Sequence, residues 1–219
     1  MIRLNILVEG QTEQAFVKRV LAPYLGRRQV FPVARLVEVS RSGGRGGVNR
    51  YVKVRDDLNR WIKQEQGNDE VWFTTMFDFY GWPTDAPGHQ SCANIHNVRR
   101  RIECFEEKFA DDIDHHQFMP YLQLHEFEAL VLCDVDALSG VYPKSRRELE
   151  PLHDVVEDHD SPELINDDPN TAPSKRIENY ISGYDKVVAG PLVTDEVGLD
   201  GLRNQCPHFD EWISKLEQL

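Results

Sequence analysis

Glu9 and Glu13 stand four positions apart, on either side of the turn that follows the first apolar run of the chain. Asp78 ends a second and stronger apolar run, and His125, Glu126 and Glu128 follow a third. Acids that gather from separate segments offer hard oxygen ligands, and such ligands suit Mg²⁺ or Mn²⁺. An ion held there polarises a phosphoryl oxygen and activates water. Most of these residues also have an ordinary reading. Glu13 fits a first-turn acid facing a helix N-terminus. His125 fits a satisfied polar residue, and Glu126 or Glu128 a helix-start acid. Glu9 lacks such an alternative, because it directly ends an apolar strand and precedes a glycine.

The elements around these acids must bring them to one place. Leu4, Ile6, Leu7 and Val8 predict a strand, Glu9-Gly10 a tight turn, and Thr12 the cap of a helix with Phe16, Val17, Val20 and Leu21 at helical spacing. Residues 71–77 are almost continuously apolar or β-branched, which predicts a central parallel strand covered on both faces. Residues 33–39 and 118–124 read as further strands, and 48–66 and 92–110 as helices. In a parallel sheet the carboxyl ends share one rim, where ligands bind. Glu9, Asp78 and the 125–128 segment are expected there. Beyond Asp134 the pattern weakens. Segments 143–150 and 174–181 read as helical, and 203–219 as a closing amphipathic helix with Phe209, Trp212, Ile213 and Leu216 inward. The fold class is therefore α/β, a mostly parallel sheet flanked by helices with a helical C-terminal appendage. Residues 1–140 form the core and 141–219 an extension packed on it as one compact unit.

The 37 acids against 25 bases give a net charge of −12. That argues against a passive nucleic-acid coat, which needs a basic surface. It leaves room for an enzyme that grips phosphates through divalent metals and a local basic patch. Candidate phosphate clamps are Arg41 and Arg45, in a segment (40–47) with four glycines, and Lys175-Arg176 after Pro173. The glycine-rich segment also reads as a plain connection. Arg99-Arg100-Arg101 reads as a solvated helix face or part of a basic patch. The four cysteines are far apart without paired spacing, and no export signal precedes them, so reduced thiols in a cytoplasmic protein are expected. Cys92 and His96 have helical i, i+4 spacing, but without a second pair a zinc- or thiol-based enzyme has little support. No apolar run approaches the ~20 residues of a membrane span.

Five motifs in order resemble domain-of-unknown-function family 4276: Val8-Glu9-Gly10-Gln11-Thr12-Glu13, Asp78-Phe79-Tyr80-Gly81, His125-Glu126-Phe127-Glu128-Ala129-Leu130, Pro173-Ser174-Lys175-Arg176 and Cys206-Pro207-His208-Phe209. The resemblance covers nearly the whole chain. That family is similar to a divergent branch of the TOPRIM superfamily, which includes topoisomerases, primases and nucleases of the overcoming-lysogenisation-defect type. The resemblance implies a TOPRIM-like core with Mg²⁺ or Mn²⁺ bound after the strands. Glu9 matches the superfamily glutamate, Glu13 the second acid of the nuclease branch, and Asp78 the first aspartate of Asp-x-Asp. Tyr80 replaces the second aspartate, a loss that Glu126 or Glu128 would have to cover. Tyr80, His125 and His208 stand inside these motifs as further site candidates. Two functions follow. One is a metal-dependent phosphodiesterase or nuclease acting on nucleic acid, with Glu9 and Asp78 catalytic and Glu13, Glu126 and Glu128 completing the metal site. The other is an impaired binding or regulatory module with a protein partner, by analogy an ATPase of a mobile-element defence system.

Overall fold

A computed structural model describes residues 1–38, 50–165 and 171–219. Its sheet is parallel throughout. Strand β1 (Ile2–Val8) pairs with β2 (Val30–Leu36) on one side and β3 (Val71–Asp78) on the other. β3 continues to two short strands, β4 (Phe118–Met119) and β5 (Leu122–Gln123). Strand order is β2-β1-β3-β4, with β5 also on β3. The central position expected for 71–77 is the one found. Residues 118–124 do not form one strand, because Pro120 has no N–H for the ladder. The Thr75 hydroxyl bridges the gap, donating to Tyr121 O at 2.9 Å and accepting from Tyr121 N at 3.0 Å.

Helices cover both faces, as the apolar runs of β1 and β3 require. The first layout is α1 (Gln11–Phe16), a π-helical stretch (Val17–Leu21) and α2 (Ala22–Gly26), followed by α3 (Tyr51–Gln64). Next come α4 (His89–Cys92) and α5 (Val98–Ile113). Short helices α6 (Glu128–Val131), α7 (Val135–Val141) and α8 (Glu150–Glu157) lead to α9 (Pro173–Tyr180), α10 (Lys186–Gln205) and α11 (Pro207–Leu216). Leu4, Ile6 and Val8 join one core cluster with Phe16, Leu130, Val193, Leu202, Phe209 and Ile213. Leu7, Phe73 and Phe77 join another with Val54, Leu58, Phe105 and Phe109 of α3 and α5. The first cluster draws on residues before and after 140, so the helical C-terminal region shares its core with the sheet.

Four expectations need correction, the first being the helix over 143–150, where a 3₁₀ turn (Pro143–Ser145) precedes α8, which begins only at Glu150. The predicted helix over 92–110 is two helices, because Asn97 starts a new one by accepting from Arg100 N at 2.9 Å. The separate helices bring Cys92 and Cys104 to a Cα–Cα distance of 5.7 Å, where they form a disulfide. The expected set of four reduced thiols is thus overturned for this pair, and Cys92 is unavailable to bind zinc with His96. Cys133 and Cys206 remain free and buried. The second strand begins at Val30 and ends at Leu36, earlier than the apolar residues at 33–39 suggested.

The N-terminus of α11 is capped from a distance. Glu163 Oε2 accepts from His208 N at 2.8 Å and Oε1 from Phe209 N at 3.0 Å. Glu163 is 1% exposed. Replacing it with alanine leaves two buried N–H groups without an acceptor, each costing about 1 kcal/mol or more. We expect Glu163→Ala to lower stability by roughly 2 kcal/mol in urea unfolding, while Glu163→Gln, which keeps one acceptor, loses less. Equal stability of Glu163→Ala and the wild type would refute this capping role.

Candidate functional site

The parallel register sets Val8 beside Met76, so the chain leaves β1 and β3 at the same rim. The segments that follow are tied by carboxylate-to-backbone bonds. Asp78 N donates to Glu9 Oε2 at 3.2 Å, and Phe127 N donates to Asp78 Oδ1 at 2.9 Å. Ser174 N donates to Glu126 Oε2 at 3.0 Å. Gly10 N donates to Glu13 Oε2 at 2.8 Å, half of a capping box. Acids that follow β1, end β3 and stand in the 125–128 segment are thereby tied to one rim.

His125 makes the sharp entry to that last segment. Its φ is 60°, in the left-handed region that a β-carbon disfavours. Tyr80 N donates to its carbonyl at 2.9 Å and holds the turn. The chain then enters α6, where Glu128 is 1% exposed. Among the described residues, neither carboxylate oxygen of Glu128 finds a hydrogen-bond partner. The buried Tyr184 hydroxyl is likewise without one. An orphaned buried carboxylate is rare and calls for a ligand, an ion or a shifted proton.

Lys186, at the start of α10, faces the acids. Burial pulls its pKa down, but Glu128, Asp78, Glu13 and Glu9 together raise it above the ordinary value. The approach of α10 depends on Gly190. A Cβ there would lie 2.9 Å from both Phe127 Cε1 and Thr12 Cγ2, nearer than atoms pack. Lys186 is one helical turn earlier on the same face. Asp185 caps the helix, accepting from Val187 N at 3.1 Å and Val188 N at 3.4 Å.

The electrostatics reflect crowding of like charges. Burial raises Asp78 well above the usual carboxylate range, with further upward pushes from Glu9, Glu13 and Glu128 that Lys186 partly offsets. Burial also raises Glu13, against its hydrogen bonds to N–H groups and the charge of Lys186. Glu128 is pushed up to about 7, chiefly by burial and then by Glu126, with Lys186 opposing. The donors are all oxygen, the kind that hard divalent cations take, and one buried carboxylate is unsatisfied. Among the described residues, however, no three such side chains form a ready cage of ligands. Lys186 lies within electrostatic reach of Glu9, Glu13, Asp78 and Glu128.

Other predicted site residues lie elsewhere or have local partners. Lys175 Nζ pairs with Glu178 Oε2 at 2.6 Å, and Arg176 Nε donates to Thr171 O at 2.8 Å. Arg41 and Arg45 fall outside the described residues. His208 Nε2 contacts Glu106 Oε1 at 3.0 Å and Leu122 O at 3.1 Å, in a second buried network. Tyr80 is 48% exposed, beside the rim but pointing a large apolar surface to solvent. Lys186 and Tyr184 escaped sequence reasoning. The one available signal was Asp185, an N-cap residue directly before Lys186.

Fold and rim define the class: a parallel α/β protein whose acids gather at the carboxyl ends of adjacent strands. One family model, described as a domain of unknown function (DUF4276), matches residues 8–217, and the chain belongs to that family. Among solved structures, it is similar to the C-terminal region of the OLD protein of Xanthomonas campestris pv. campestris. An iodine-phased structure of that region has 18% identity and a TM-score of 0.38, covering 100% of this chain and 99% of that one. A platinum-phased structure has 17% identity and a TM-score of 0.39, covering 97% and 94%. At these scores nothing about this chain's chemistry follows from the likeness. Comparison with curated proteins gave no match.

Proposed function

We propose that the protein is a divalent-metal-dependent phosphodiesterase acting on nucleic acid. The observation that supports this reading is the gathering of Glu9, Glu13, Asp78 and Glu128 around Lys186 at one sheet rim. Glu9, Asp78 and Glu128 would hold Mg²⁺ or Mn²⁺, with Glu13 adjusting the site. When bound, such an ion polarises a phosphoryl oxygen and makes water a better nucleophile. The remaining chemistry belongs to the chain. The Lys186 ammonium attracts a phosphate oxygen into an acidic rim that would otherwise repel it. Glu128, buried and with neither carboxylate oxygen hydrogen-bonded among the described residues, would give up its proton on taking the ion. Hydrogen bonds from the Asp78 and Phe127 N–H groups hold one carboxylate oxygen each of Glu9 and Asp78 in place.

The test is incubation of single-stranded and duplex DNA and RNA with the purified chain in Mn²⁺, in Mg²⁺ and in chelator. We expect cleavage in Mn²⁺ or Mg²⁺ alone, lost in Asp78→Asn, which keeps the acceptor for Phe127 N. Cleavage that persists in chelator or in Asp78→Asn would refute the reading.

A second reading, a binding module on the same scaffold, draws on Tyr80, an exposed aromatic residue where a second acid would complete the site. Binding of nucleic acid or a protein partner without cleavage in any divalent metal would favour it.

A further inference from the structure

Beside the acidic rim lies a cavity of ≈ 280 Å³ whose lining includes Phe79, Tyr80, Trp82, Phe105, Arg101 and His125. Its volume is near the lower end for small-ligand sites, about 300–1,000 Å³. Its wall and the rim share two stretches of backbone. Phe79 directly follows Asp78, and His125 is two residues before Phe127, whose N–H holds Asp78. Gly81 packs so near that a Cβ there would be 3.9 Å from Glu9 Oε1. A ligand in the cavity is therefore next to the carboxylates.

The lining is chemically narrow. Phe79 and Trp82 are half-buried and Tyr80 is exposed, while the buried Phe105 backs Phe79 edge-on with centroids 5.3 Å apart. Tyr80 stands half exposed at 48%. Arg101 brings a cation into a protein of net charge −12; its guanidinium otherwise donates to Ile95 O at a long 3.4 Å. The Trp82 indole N–H is buried and has no acceptor among the described residues. Aromatic faces with a guanidinium are how proteins hold unpaired bases, by stacking and by charge on the adjoining phosphate. A paired base inside a duplex cannot reach such a cavity.

The geometry points to a subsite for one unpaired nucleobase, with the strand's phosphate led from Arg101 toward the acidic rim. The substrate class would then be single-stranded nucleic acid or a frayed end. This rests on the phosphodiesterase reading for what happens next, though base binding does not require cleavage.

The experiment measures fluorescence anisotropy of a labelled ten-residue oligothymidylate, its abasic counterpart and a blunt hairpin, in chelator and in Ca²⁺. We expect the oligothymidylate to bind more tightly than the other two. Tyr80→Ala should weaken it by about 5-fold or more, the loss of one stacked base. Tyr80→Phe, which keeps the ring, should bind like the wild type. Arg101→Gln should weaken oligothymidylate and abasic strand alike. Abasic binding equal to oligothymidylate binding, or an unaffected Tyr80→Ala, would overturn the subsite. The parent reading fails separately: base-dependent binding with no metal-dependent cleavage leaves the subsite standing and removes the enzyme. Metal-dependent cleavage with unchanged binding in Tyr80→Ala removes only the subsite.

Discussion

Lys186→Met is expected to reduce metal-dependent cleavage by roughly 10²–10³-fold, the loss typical when one preorganised charge is removed from a site of developing negative charge. The side chain keeps most of its length and loses only the ammonium. Without it, Glu9, Glu13, Asp78 and Glu128 face one another with no positive charge that the structure assigns to them all. The folded-state pKa of Lys186 is raised above its ordinary 10.5, so its stabilising contribution is fully present at pH 8 and is lost only as pH rises past that value. Lys186 is exposed as a residue although its ammonium is partly desolvated, so solvent screens part of the attraction. The melting temperature at pH 8 should therefore drop by only a few degrees, at about 2–4 °C per kcal/mol for a chain of this size. A large loss of cleavage with a small loss of stability is the signature of a site residue. Activity within about threefold of wild type would remove Lys186 from the proposed machinery.

Glu128 should make the protein less stable as pH rises. Its folded-state pKa is about 7 against an ordinary 4.5, so the native state holds the proton more tightly than the unfolded chain. Stability is then greatest below the lower value and declines between the two, and the cost is fully present above pH 7. Such a shift corresponds to about 3 kcal/mol for this buried group. Glu128→Gln abolishes the titration. Melting curves in chelator should show the variant gaining on the wild type between pH 5 and pH 8 by roughly 5–10 °C. The comparison across pH cancels whatever the glutamine costs at both values. Curves that stay parallel would show that Glu128 is ionised in the native state at neutral pH. Millimolar Mn²⁺ should narrow the gap at pH 8, because an ion that binds only the folded wild type stabilises it.

The strands and their terminal acids were legible because buried parallel strands are written as nearly unbroken apolar runs. β1 and β3 have that form, and Glu9 and Asp78 stand where each run stops. The break at Pro120 was also visible as a residue type, but the Thr75 hydroxyl that spans it depends on a neighbouring strand. Helix α10 was not legible. It contains Gly190, Pro191, Gly198 and Gly201, and Gly198 has a φ of 71° that bends it out of helical geometry. These residues break the helical pattern in the sequence, whereas close packing against Thr12 and Phe127 is what selects Gly190. Lys186 was hidden for the same reason, since nothing local says that its helix crosses the rim. The Cys92–Cys104 pair depends on how two helices meet, which spacing alone does not encode.

The order of the site's parts along the chain also governs when it can exist. Its acids are all in place by residue 128, whereas Lys186 and the helix that carries it are synthesised almost 60 residues later. Val193, Leu202, Phe209 and Ile213, which complete the larger core cluster, come later still. A chain still emerging from the ribosome has the strands but neither the cation nor the apolar cover that draws the acids together. Assembly of the core and neutralisation of the rim are thus one late event. Under the phosphodiesterase reading, the nascent protein stays inert beside the messenger that encodes it until α10 and α11 dock.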